Sequence, residues 1–291
     1  MKSTRTASFG IVIALLFLGF LSCDKEKMEP VLSFAIEPGY LANDTILEIG
    51  DTVKVMLDIT WNGKHKVNQV EMMVNDQLAG DYQIDMDAGQ FSITIVKGLP
   101  ETEVWDFKIT DEGGNSNTIS LTLTKDPNSV YSAIKYYDSI YLGAQSNINR
   151  PGFMSIINAT YYNLDGAYQN SSVIDFLFYY SETDKGTVSS PGAEIGEDVF
   201  SGLQAPSQWQ VRNTTLFQKV DITPEVFYMM FHDGFIIENF DETLADTKAT
   251  DLTVGDVYVF QLQSGEKGIF YVISLIDSAD GEVNIAIKVQ E

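Results

Sequence analysis

One cysteine, two histidines, 41 carboxylates and a late-chain crowd of tyrosines are the groups with which these 291 residues could do chemistry. The histidines, His65 and His232, are far apart in the chain. A His-rich metal site or a Ser-His-Asp triad needs its members gathered at one point, so both are disfavoured. No Gly-rich phosphate loop follows a strand, and no βαβ alternation exists for a nucleotide fold. Paired acids for glycoside hydrolysis are defined by spatial separation, and among 41 acids no pair stands out. The sequence nominates no catalytic residue, no cofactor and no metal ligand, and the expectation is a protein that is not an enzyme.

The aromatics say more. A tyrosine or tryptophan face can stack on a sugar ring while amides and carboxylates bind its hydroxyls. All but Tyr40 and Tyr82 of the 14 tyrosines lie from Tyr131 onward. Gln208-Trp209-Gln210 follows Pro206 in a polar stretch, with Arg212 and Asn213 beside it. Trp209, Tyr136, Tyr137 and Arg212 are therefore the expected ligand-binding residues. The other use of such rings, as sheet core or cross-strand pairs, stays open. Asp175, inside the apolar run Val173 to Tyr180, must be paired, hydrogen-bonded or protonated if buried. Arg150, Arg212 or a backbone turn are its candidate partners.

The cysteine belongs to a different chemistry. Lys2 and Arg5 precede the apolar run Phe9 to Leu21, which ends in Ser22 before Cys23. The run is shorter than the roughly 20 apolar residues of a spanning helix, so residues 1–22 read as a signal peptide. Leu21-Ser22-Cys23 resembles the lipobox of bacterial lipoproteins, with Phe20 where leucine is usual. That resemblance implies cleavage before Cys23, lipid on its thiol and a chain anchored to the outer membrane. Asp24-Lys25-Glu26 resembles the signal that sends Bacteroidota lipoproteins to the cell surface. Residues 23–30 would be the lipidated cysteine and a tether. With Cys23 consumed, no thiol remains for a disulfide or a nucleophile.

The elements that must position the aromatics follow. Between residues 31 and 125, apolar residues alternate in Val53 to Trp61, Val70 to Val74, Tyr82 to Met86, Phe91 to Ile95, Trp105 to Ile109 and Ile119 to Leu123. A further strand is expected at Val31 to Ile36. Short Gly, Asn and Asp turns separate these runs, Asn62-Gly63 among them, as in an antiparallel β-sandwich. Ile46 to Val53 and Phe107 to Asn115 resemble bacterial immunoglobulin-like modules, which implies a spacer without catalysis. Asp85 to Asp87 and Asp111 to Asn117 read as turns rather than calcium loops.

Residues 126–291 read as a second β-rich domain with one or two short helices, Asp126-Pro127-Asn128-Ser129 marking the boundary. Val173 to Tyr180 predicts a central strand covered on both faces. Thr223-Pro224-Glu225 predicts a helix with Val226, Phe227, Met230 and Phe231 on one stripe and Gly234 past its end. Residues 238 to 251 read as a weak helix or an acidic loop. Three strands close the chain, at Val257 to Leu262, Ile269 to Ile276 and Val283 to Val289. The expected fold class is all-β.

A net charge of −23 makes nucleic acid and anionic membrane surfaces poor partners. Anchor, tether, immunoglobulin-like spacer and Tyr-rich β-module together resemble the glycan-binding surface lipoproteins of Bacteroidota polysaccharide-utilisation systems. The resemblance implies a polysaccharide ligand and an outer-membrane transporter as partner. Two other readings stand beside it: haem capture with His232 as ligand, and a structural or adhesive protein without a small ligand. Asp138-Ser139-Ile140 and similar triplets also resemble Bacteroidota O-glycosylation sites.

Overall fold

The computed structural model describes residues 28–291, so the expected signal peptide, Cys23 and most of the expected tether lie outside the described residues. Strand alternation is realised throughout the first part as β1 (Val31–Phe34), β2 (Thr45–Leu47), β3 (Thr52–Thr60), β4 (Val67–Val74), β5 (Gln77–Met86), β6 (Ala88–Val96), β7 (Thr102–Asp111) and β8 (Ser116–Lys125). One sheet has the order β1-β3-β6 and the other β2-β8-β7-β4-β5, with β2 parallel to β8 and the remaining pairs antiparallel. Two sheets of this order form an immunoglobulin-like sandwich. Val55, Leu57 and Ile59 from the first sheet meet Val70, Phe107, Ile109 and Leu121 from the second in its core. No cysteine bridges the sheets; apolar packing joins them, with a buried Lys97–Glu103 ion pair between the end of β6 and β7.

Asn62-Gly63 does not close a two-residue hairpin, because β3 and β4 belong to different sheets. Asn62 instead turns the chain across the sandwich edge, its Oδ1 accepting from the backbone N–H of Lys64 and His65 at 2.9 and 3.1 Å. Asp111 organises the β7–β8 turn: its Oδ1 accepts from the N–H groups of Gly113 and Asn115, both at 2.8 Å. Those bonds hold its carboxyl below the usual range although burial pushes the other way. Pro30 is buried, and its carbonyl accepts from Asn117 Nδ2 at 3.0 Å, so the end of the expected tether lies against the sandwich.

The second part holds β9 (Ile134–Gly143), β10 (Phe153–Ser155), β11 (Thr160–Tyr162), α1 (Leu164–Gln169), β12 (Phe176–Ser181), β13 (Lys185–Ser189), β14 (Leu216–Val220), α2 (Pro224–Met229), α3 (Gly234–Asn239), β15 (Lys248–Ala249), β16 (Val257–Gln261), β17 (Lys267–Leu275) and β18 (Glu282–Gln290). Two five-stranded sheets, β11-β10-β12-β13-β15 and β14-β16-β17-β18-β9, face each other. Ile140, Phe176, Phe178, Phe217, Phe260, Phe270 and Ile285 fill the space between them. β12 is the central strand of its sheet and is covered on both faces, as its unbroken apolar run requires.

Each sheet also carries an outer layer. Loops bearing Phe200, Ala205 and Trp209 cover Phe153, Leu177 and Tyr179 of the first sheet. Phe227 of α2 and Ile236 of α3 cover Val257, Val259, Ile269 and Ala286 of the second. The fold is all-β with three short helices. α2 starts at Pro224 after Thr223, as Pro at the first turn favours, but ends at Met229. Gly234 opens α3 rather than following the end of α2, and Val226 and Phe231 are exposed while Phe227 is buried. The expected four-residue stripe fails because two short helices replace one longer one.

The two parts meet at a defined contact. Asp126 N–H donates to Leu47 O at 2.8 Å. His232, bridged to Ala133 in a β-bridge, abuts Gly50 so closely that a Cβ at Gly50 would lie 2.6 Å from its Nε2. Gly50 has φ +89°, where a residue without Cβ is favoured.

Candidate functional site

The nominated residues fall on three different layers. Trp209 is 5% exposed, packs against Phe153 with ring centroids 5.5 Å apart, and donates from Nε1 to Gln204 O at 2.7 Å. It is a core ring of the loop layer, not a ligand platform. The polar run around it misled because a short 3-10 turn at Pro206–Gln208 aims the indole inward while Ser207 and Gln208 stay outside. Arg212 is likewise occupied: Nε and Nη2 donate to the carbonyls of Pro191, Gly192 and Ala193 at 3.1, 3.3 and 2.7 Å, tying two loops together.

Tyr136 and Tyr137 are neighbours on β9, the edge strand of its sheet, so the pleat sends them to opposite faces. Tyr137 packs on the inter-sheet core and its hydroxyl donates to Ile156 O at 3.3 Å. Tyr136 points to the helix-covered side and is 45% exposed. The structure does not bring Trp209, Tyr137 and Arg212 to Tyr136.

It brings Tyr228 and Lys288 instead. Tyr136 is the cross-strand partner of Lys288, whose Nζ lies 5.2 Å from its ring centroid and 5.2 Å from that of Phe227. The same Nζ donates to the carbonyls of Phe227, Tyr228 and Met230 at 2.7, 3.0 and 2.6 Å, at and just past the end of α2. Three protons on an ammonium are thereby matched to three acceptors. Burial lowers the Lys288 pKa from its ordinary value to about 8.

Tyr228 stands on α2 beside this ammonium, 48% exposed, with its ring 6.0 Å from that of Tyr271 and 5.3 Å from that of Phe227. The Tyr136 phenol is pushed up by burial first and then by Tyr228 and Asp138. Met229 and Phe231, next in the chain, are also exposed. The result is an aromatic face with two open rings, a carboxylate at Asp138 and a buried cation below. It can stack a flat, weakly polar ligand.

The other marked groups are structural. Asp175 accepts from Ile156 N–H at 2.8 Å, and burial raises its pKa to about 6 against that bond and one from Ser155. Neither Arg150 nor Arg212 is its partner: Arg150 pairs with Glu282 at 3.1 Å. His232 accepts from Gly234 N–H through Nδ1 at 3.1 Å, with Tyr131 and Phe231 against its ring and Gly50 at Nε2. Among the described residues no group of three or more His, Cys, Asp or Glu side chains could hold a metal ion, and no helix is long and apolar enough to cross a membrane. A groove of about 380 Å³ lies on the other side of β9, lined by Lys135, Ile157, Glu266, Val289, Gln290 and Glu291.

Sequence reasoning missed Tyr228 and Lys288. Lys288 carries a faint signal, a lysine inside the run Ile285 to Val289. By alternation it belongs to the face expected to meet water, and nothing in the sequence says that α2 covers that face.

No protein-family model matches this chain, and no curated protein matches it. Among solved structures it is similar to a DUF4466 family protein from Parabacteroides merdae, at 13% identity and TM-score 0.49 over 90% of this chain and 99% of that one. It is also similar to the fibronectin(III)-like modules of Clostridium thermocellum CbhA, at 9% identity and TM-score 0.26 over 34% of this chain and 47% of that one. A CARDB domain from Pyrococcus furiosus shares 10% identity at TM-score 0.25, over 33% of this chain and 96% of that one.

Proposed function

We propose that this chain is a lipid-anchored, non-enzymatic protein of the bacterial outer surface whose distal β domain binds an extracellular glycan. The observation that carries the reading is two half-exposed aromatics anchored on Lys288: Tyr136, whose ring covers its ammonium, and Tyr228, whose backbone carbonyl accepts from it. Aromatic rings fixed by a rigid support and flanked by carboxylate are suited to the apolar face and the hydroxyls of a sugar. The immunoglobulin-like sandwich serves as the spacer between anchor and site. An outer-membrane transporter would take the glycan onward.

Affinity electrophoresis of the full-length chain in polysaccharide-containing gels tests the binding. Retardation is expected without release of sugar, and Tyr136→Ala or Tyr228→Ala should abolish it. Retardation unchanged by both substitutions would remove the site from this face. Released oligosaccharide would make the protein a hydrolase. Metabolic labelling with palmitate tests the anchor: Cys23→Ser should end incorporation and free the chain from the membrane fraction.

A further inference from the structure

We infer that the face of Tyr136 and Tyr228 selects uncharged hexose polymers and rejects those carrying uronate or sulfate groups. The inference rests on the glycan-binding reading above and names its ligand class. Its basis is the accounting of positive charge. Residues 126–291 contain eight basic side chains. Arg150, Lys185, Lys219 and Lys248 are paired with Glu282, Glu182, Asp256 and Asp184 at 2.7 to 3.2 Å. Arg212 is held by three backbone carbonyls. Lys135 lies over the Tyr137 ring on the opposite face of β9, and Lys267 over Phe240.

That leaves Lys288, the cation at the face itself. It is 3% exposed, and each of its three protons has a carbonyl acceptor, so it has no donor to offer an anion. The charges that do reach the surface there are negative. Asp138 acts on the Tyr136 phenol, and Glu225 sits three residues before Tyr228, on the same side of α2. A uronate docked on the rings would meet these two carboxylates without a compensating cation, which costs affinity at contact distances. A neutral sugar donates hydroxyl hydrogen bonds to the same carboxylates and stacks its C–H face on the rings. The Tyr136 phenol stays protonated and serves as a further donor, since burial, Tyr228 and Asp138 all oppose its ionisation.

The experiment is a gel and calorimetry panel on the full-length chain, with neutral β-glucans, galactomannan and α-mannan on one arm and polygalacturonate, alginate and chondroitin sulfate on the other. Each is run at 20 and 300 mM NaCl. The inference expects binding on the neutral arm, with Kd changing less than twofold between the two salts and rising at least tenfold in Tyr136→Ala. Asp138→Lys, an exposed change that leaves both rings in place, should bring acidic polymers into the bound class. Tyr136→Phe keeps the ring and should retain most of the affinity, which separates loss of stacking from loss of folding. Binding of acidic polymers by the unaltered chain, weakened by salt, would overturn the charge selection and leave the glycan reading standing. No binding on either arm would overturn both.

Discussion

Lys288 and Tyr136 face each other across β18 and β9, the ammonium 5.2 Å from the ring centroid, while the same ammonium holds the carbonyls of Phe227, Tyr228 and Met230. One side chain thus fixes the last turn of a helix to a sheet and lies beneath the open Tyr136 ring. Carbonyls left without partners at a helix end are satisfied here by a cation, which also suits the negative end of the peptide dipoles.

Replacing Lys288 by Met should destabilise the fold by about 1–3 kcal/mol, because three carbonyls lose their donor. The difference should grow with pH. The folded pKa of about 8 lies below the ordinary 10.5, so between these values the unfolded chain holds the proton more often than the folded one, and stability conferred through Lys288 rises with pH. Urea unfolding of both proteins from pH 7.5 to 10.5 should show the gap widening, by no more than about 3 kcal/mol. A gap that stays constant would mean that burial does not shift this lysine.

Asp175 has the opposite sign. Its folded pKa of about 6 lies above the ordinary 3.8, so the stability it confers is present below about pH 4 and lost as pH rises through 6. Asp175→Asn keeps an oxygen for Ile156 N–H and removes the buried charge. The variant should gain about 1–3 kcal/mol on the unaltered protein between pH 4 and pH 7.5. Equal loss at both pH values would show that the carboxylate itself is required.

Trp209→Ala should lower stability by about 3–5 kcal/mol, the scale of a cavity left by a large core ring between Phe153 and the Gln204 carbonyl. Any folded fraction should bind glycan with unchanged Kd. A stable variant with weakened binding would return Trp209 to the site.

At the junction, Gly50→Ala should cost about 1–3 kcal/mol, from positive φ and from collision with His232 Nε2. His232→Ala in the same chain should recover the steric part. Calorimetric additivity of the two substitutions would show that Gly50 and His232 are not in contact in solution.

Period-two alternation of Val53 to Ile59 and of Phe107 to Ile109 fixed strands and core faces, because a strand residue can only point one way or the other. The run Val173 to Tyr180 announced a strand buried on both sides, and Thr223-Pro224 announced a helix start. The end of that helix was not legible: its stop at Met229 and restart at Gly234 depend on Asp233, buried and bonded to Ser132 N–H and Gln290, which come from distant parts of the chain. Sheet membership of β3 and β4 was equally hidden, since Asn62-Gly63 specifies a turn but not which strands it joins. The charge, the aromatic surplus and the element types were determined by the sequence alone, being local or additive properties. Which rings face solvent was decided only by tertiary structure, because Trp209, Tyr136 and Tyr137 differ in the layers that cover them, and those layers come from other parts of the chain.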